Sequence, residues 1–87
     1  MRMSKKLSIV LCTYNRSKKF DRVVTSLTSQ LSNDIELVTI EGVAGLAEAR
    51  NRGWRKSKGE YVAYIDDDAI AEPDWVKNIL TFIKKHP

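Results

Sequence analysis

Three adjacent carboxylates, Asp66-Asp67-Asp68, hold the most chemical potential in this chain. Like charges at neighbouring positions repel, and their desolvation is costly unless a cation or a set of donors compensates. Oxygen-only ligands on a tight loop suit a hard divalent ion, Mg²⁺ or Mn²⁺, which can bridge to a diphosphate. The same acids are also compatible with a solvated loop ahead of a helix, where they need no further role. A second cluster is basic: Arg50, Arg52, Arg55, Lys56 and Lys58 place five cations within nine residues. Those cations can face a polyphosphate or, spread around a helix at 3.6 residues per turn, form a solvated surface. A third cluster, Thr13-Tyr14-Asn15-Arg16, lines up a hydroxyl, an aromatic ring, an amide and a guanidinium.

Other chemistries are excluded by what the chain lacks. Gly42 and Gly45 have no third glycine and no following Gly-Lys-Ser/Thr, so they match neither a dinucleotide fingerprint nor a phosphate loop. The only histidine is His86, which leaves no Ser/His/Asp or Cys/His triad to build. A phosphorylation receiver would need an acidic pair after the first strand, where this chain has Thr13-Tyr14-Asn15. Cys12, the single cysteine, rules out an internal disulfide and lies in an apolar run, where a small buried side chain is favoured over a reactive thiol.

The elements that must position these groups alternate. Leu7 to Cys12 is β-rich and almost continuously apolar, as a strand buried on both faces of a parallel sheet requires. Phe20, Val23, Val24, Leu27 and Leu31 form the stripe of an amphipathic helix, with Ser17 as its N-cap. Ile35 to Ile40 reads as a second strand. Leu46 to Lys58 reads as a helix with Gly53 as a weak point and Gly59 as its stop. Tyr61 to Ile65 is a third strand ending in the acid triplet. Glu72-Pro73-Asp74 starts a last helix, whose stripe is Trp75, Val76, Ile79, Leu80 and Ile83. The order βαβαβα predicts an α/β fold, a three-layer Rossmann-like arrangement with a short parallel sheet and right-handed crossovers. In such sheets ligands bind at the carboxyl ends of the strands, where all three chemical clusters fall together with Glu41-Gly42.

An 87-residue chain allows one small domain at most, since domains usually run to about 100 to 200 residues. Its 43% hydrophobic and 30% charged residues are a globular balance that disfavours disorder. The formal charge of +4 is uneven: residues 1–33 carry seven Lys/Arg and one acid, residues 34–87 eight and ten. Charge alone is a weak basis for nucleic-acid binding, and no recognition motif accompanies it, so no nucleic-acid partner is expected. No apolar stretch approaches the roughly 20 residues of a membrane span, and the run from Leu7 is short for a signal sequence. A cytoplasmic location is the default expectation.

Three segments, Ser8 to Arg16, Gly45 to Gly53 and Gly59 to Asp68, with Pro73-Asp74-Trp75-Val76 after them, together resemble family 2 glycosyltransferases in content and order. The resemblance implies the nucleotide-binding half of a GT-A fold, reduced in size, that binds a nucleotide-diphosphate sugar of the UDP or GDP type. Thr13 and Tyr14 would line the base pocket with Asn15 and Arg16 beside them, and Arg50 would contact the base or the phosphates. Asp66 or Asp67 would lie near the ribose. Asp68, with Asp66, would hold Mn²⁺ or Mg²⁺ against the departing diphosphate.

Two departures qualify the resemblance. Family members carry an additional strand with an acidic end between the first helix and the Ala-Arg-Asn helix, whereas one strand, Ile35 to Ile40, fills that interval here. Either the family's acidic strand and its helix are missing, which the immediate onset of Gly45 to Gly53 favours, or Glu41 stands in for the acid. In addition, no acid follows Asp74, so the chain offers no general base for an acceptor hydroxyl and no catalytic residue is assigned. The expected unit is one domain over residues 1–87 that binds donor and metal but is incomplete as a catalyst. A folded module without ligand is the competing expectation. Exposed sheet edges add an expectation of dimerisation through an edge strand or an apolar face.

Overall fold

The computed structural model describes residues 4–86. Six elements alternate: β1 (Lys5–Thr13), α1 (Phe20–Thr28), β2 (Ile35–Glu41), α2 (Leu46–Lys56), β3 (Gly59–Asp66) and α3 (Trp75–Lys85). The strands form one parallel sheet in the order β2-β1-β3. The predicted α/β class, element order and parallel sheet are all present.

Because β1 is central and covered on both faces, Leu7 through Thr13 are all buried. Alternation divides its side chains between two cores. Leu7, Ile9 and Leu11 pack with Phe20, Val23 and Leu27 of α1 and with Val76 and Ile83 of α3. Val10 and Cys12 pack on the other face with Ile40 and with Ala49 of α2. One strand therefore supports two helix layers, and the run of apolar residues without polar alternation follows from that double cover. No helix among the described residues is long and apolar enough to cross a membrane.

Several boundaries differ from the sequence reading, each for a local reason. Ser17 is not the N-cap of α1: Lys19 holds that position without a side-chain bond. The Ser17 hydroxyl instead donates to the backbone oxygen of Asp67 at 2.7 Å and accepts from the Lys19 N–H. Helix α1 ends at Thr28, and Leu31 still packs against the core from the turn beyond. Helix α2 stops at Lys56, two residues early, because Ser57 turns to extended backbone. Gly59 is the first residue of β3 rather than a helix stop, and a Cβ there would sit 2.5 Å from the Ser8 nitrogen. Pro73 lies in a turn before α3, whose N-cap position is Asp74.

The amino ends of the strands are tied by a polar knot. Ser8, fully buried, donates to a Glu36 carboxylate oxygen at 2.5 Å and accepts from the Gly59 N–H at 2.8 Å. The same Glu36 oxygen accepts from the Lys58 N–H at 2.7 Å. This knot links all three strands and satisfies a buried hydroxyl that would otherwise destabilise the sheet. The opposite, carboxyl ends are left to the loops.

Candidate functional site

β1 and β3 run on to α1 and α3 on one face of the sheet, whereas β2 runs on to α2 on the other, so the winding reverses between the neighbouring strands β1 and β2. That reversal opens the crevice in which ligands of parallel sheets bind. Register brings the strand ends level: Thr13 pairs with Glu41, and Cys12 with Asp66. Residues more than fifty positions apart in sequence thus become neighbours on one rim.

The three acids diverge instead of converging. Asp67 is turned inward: one carboxylate oxygen accepts from the Thr13 hydroxyl at 2.6 Å and from the Ser17 N–H at 3.0 Å. Together with the Ser17 hydroxyl bond to its backbone oxygen, Asp67 fastens the β1–α1 loop to the end of β3. Asp66 points toward the Arg50 guanidinium at 3.9 Å, and its side chain is well exposed. Asp68 is exposed as well. Divergence relieves the mutual repulsion that makes adjacent carboxylates costly. Among the described residues no three His, Cys, Asp or Glu side chains converge as a ligand group.

Two further ion pairs frame the rim. Arg16 donates to both oxygens of Glu41, at 2.6 and 2.9 Å, and its guanidinium lies 4.3 Å from the Phe20 ring centroid. The two-pronged bond holds the Glu41 carboxyl below its ordinary value and pushes the Arg16 guanidinium up. Arg50 sits 5.3 Å from the Tyr64 ring centroid, so this ring and Asp66 together orient it. Beside the rim is a recess of about 120 Å³ lined by Cys12, Thr13, Tyr14, Val43, Gly45 and Ala49, among others. Gly45 there has φ +91, a left-handed conformation that lets the chain turn sharply into α2, whose amino end carries no side-chain cap.

Of the residues singled out in the sequence, Thr13 and Tyr14 line the recess, Asp67 is bonded to Thr13, and Arg50 faces Asp66 at the end of β3, while Asp68 is exposed. Tyr14 is 62% exposed, with its ring free at the recess mouth. Asn15 is exposed on the loop, while Arg16 is turned toward Glu41. Burial pushes the Cys12 thiol above its usual value, with Arg50 opposing and Asp66 adding. Sequence reasoning missed Ser17 as a partner of Asp67 and Val43, Leu46 and Ala49 as recess walls; the paired glycines 42 and 45 were the available signal. Glu41 is level with Thr13 on β2, directly beside β1.

Comparison with known proteins gives this geometry a family. The family described as Glycosyl transferase family 2 matches residues 38–87, more than half of the chain. A Haemophilus influenzae protein described as an uncharacterized glycosyltransferase is 28% identical over 104 residues, covering 93% of this chain and 35% of its own length. The glucosyl-dolichyl phosphate glucuronosyltransferase of Haloferax volcanii is 31% identical over 81 residues, 93% of this chain and 25% of its own. An uncharacterized Escherichia coli glycosyltransferase is 25% identical over 107 residues, 93% of this chain and 31% of its own. The chain therefore spans about a third or less of the length of these relatives. The 104- and 107-residue alignments also exceed the 87 residues of the chain, so those two relatives have additional residues inside the matched region. From the family match and the ordered convergence of its strand ends, the chain belongs to glycosyl transferase family 2.

Proposed function

We propose that this chain is the donor-binding part of a family 2 glycosyltransferase, taking a nucleotide-diphosphate sugar of the UDP or GDP type together with Mn²⁺ or Mg²⁺. The observation that carries the reading is the placement of Tyr14, Arg50 and Asp66 at the carboxyl ends of the strands beside one recess: Tyr14 lines it with Cys12, Cys12 is level with Asp66, and Asp66 faces Arg50. In this reading the base enters the recess beside Tyr14, whose exposed ring stacks on it, and backbone groups around Thr13 give it hydrogen bonds. Arg50, oriented by Tyr64 and Asp66, meets the diphosphate. Asn15 and Arg16 border the nucleotide, and Asp67 holds the β1–α1 loop that presents Tyr14.

The donor set supports a divalent ion of a particular kind. Asp66 and Asp68 offer oxygen ligands free of the inward bonds that engage Asp67. One or two carboxylates plus substrate phosphates and water is the usual coordination of Mg²⁺ and similar ions. A bound ion would neutralise the charge that develops on the leaving diphosphate. Arg50 adds a fixed positive charge on the same side, and the loop held by Asp67 keeps the base and ribose in register with it. Acceptor binding and removal of the acceptor proton are assigned to parts of the enzyme outside these residues.

Calorimetric titration with UDP and GDP, each with and without Mn²⁺, tests the proposal. The expected result is metal-dependent binding of one nucleotide, weakened at least tenfold in Asp68→Ala. Absence of heat and of any rise in melting temperature with both nucleotides would overturn it in favour of a folded module without ligand.

A further inference from the structure

Past the end of β3 the chain must cross residues 67–74 to reach α3. The first anchor of that segment is Asp67, fastened to Thr13 and Ser17. A second anchor comes from α1. In the last turn of that helix the Ser26 hydroxyl donates to the Val23 backbone oxygen at 2.7 Å, which leaves its lone pairs to accept from the Ala71 N–H at 3.0 Å. Gln30, four residues on and just past the helix, has its whole amide engaged. Its nitrogen donates to the backbone oxygens of Ser26 at 2.8 Å and Glu72 at 2.9 Å, and its oxygen accepts from the Val76 N–H at 2.9 Å.

These bonds fit one orientation only. Glu72 offers an acceptor and Val76 a donor, so a flipped Gln30 amide would lose both. The Val76 N–H belongs to the first turn of α3, whose donors the helix itself leaves unpaired, and Asp74 at the N-cap position supplies no side-chain bond. Gln30 therefore caps α3 from outside. Between the two anchors lie Asp68, Ala69 and Ile70, all exposed. Among the described residues the one hydrogen bond in this span runs from the Ala69 N–H to the Asp66 backbone oxygen at 3.2 Å and closes a turn at the end of β3. Three residues strung between fixed points take their place from those points.

We infer that Ser26 and Gln30 are positioning residues for Asp68: by fixing Ala71, Glu72 and Val76 they hold its free carboxylate in place at the end of β3. The consequence for the ion rests on the donor-site reading above. Both residues act through the backbone of residues 71–76 and not by contact with a ligand. Ala71, Val76 and Ile83 are buried in the α1 core, and that burial holds α3 on the sheet when the polar bonds are removed. Loss of either side chain thus loosens the acid-bearing segment before it loosens the fold. Groups that orient a ligating carboxylate in this way are commonly worth 10–100-fold in metal affinity, on the order of the effect expected here.

The test uses the 87-residue chain and three variants: Ser26→Ala, Gln30→Met, which keeps the length without the amide, and Ser26→Thr, which keeps the hydroxyl. Without metal or nucleotide, nitrogen-15 relaxation is expected to show the order parameter of the Asp68 amide falling from about 0.85 to about 0.6 or below in Ser26→Ala and Gln30→Met. The β1 amides should stay rigid in both, which shows the fold intact, and Ser26→Thr should match the native chain. With UDP or GDP present, paramagnetic resonance of free Mn²⁺ is expected to give an affinity about tenfold weaker in those two variants and native in Ser26→Thr. Nucleotide affinity without metal should not change. If Gln30→Met does not fold, Ser26→Ala against Ser26→Thr makes the same comparison. An Asp68 amide equally ordered in every chain would overturn the inference, as would native Mn²⁺ affinity in both bond-removing variants. Failure of the native chain to take Mn²⁺ with either nucleotide would overturn the donor-site reading instead, and the metal-free order of Asp68 then decides the positioning alone.

Discussion

Asp67 shows how a residue that reads as a ligand can act as a fastener. Its carboxylate is the acceptor for a buried hydroxyl and a backbone N–H, and both donors lose their partner in Asp67→Ala. Leaving them unsatisfied is expected to destabilise the fold by about 1–3 kcal/mol, measured as a lower urea midpoint with unchanged slope. Asp68→Ala removes no such bond and is expected to leave the midpoint nearly unchanged, so the two variants distinguish fastener from free carboxylate. The Arg16–Glu41 pair makes a pH prediction. Glu41 has a lowered folded value, so its contribution to stability is present above the ordinary glutamate value and is lost as pH falls through the lowered one. Carboxyl titration by NMR should show a low Glu41 midpoint that returns to the ordinary range in Arg16→Ala. Both side chains are exposed, and the effect on global stability is correspondingly small. The acid triplet was visible in the sequence as a cluster. Which acid faces inward was not, because the donors that select Asp67 lie some fifty residues earlier in the chain.

At the scale of elements, Gly53 is the informative position. In an exposed helix, alanine would be favoured over glycine by about 1 kcal/mol. Here a Cβ at residue 53 would run into the Cγ1 of Val10, a fully buried side chain in the central strand. Overpacking of that kind costs about 1–3 kcal/mol, and the β-branched Val10 has little freedom to move aside. Gly53→Ala is therefore expected to lower stability by about 1–2 kcal/mol in urea unfolding, the reverse of its sign on a free helix. The weak point read from helix propensity is the place where α2 approaches β1 most closely. The strands and helices were legible because each apolar period is local. Their ends were less so, since Ser17 and Gly59 answer to partners on other elements. The interval before α2 illustrates both: β2 lies directly against β1 with Glu41 level with Thr13, while two relatives have extra residues within the matched region.

At the scale of the whole chain, the described residues form a three-stranded sheet with helices on both faces and β1 at its centre, so the packing of one strand joins both cores. Sequence by itself determined the class, the βαβαβα order, the family resemblance and the set of chemically able residues. Those follow from hydrophobic period and from residue types after each strand, which are properties of short segments. Only the tertiary structure decided that Asp67 binds Thr13 and Ser17, that Arg16 is held by Glu41, and that Arg50 is set between Tyr64 and Asp66. Those contacts depend on the mutual register of strands distant in sequence, and that register is settled by packing both faces of β1 at once.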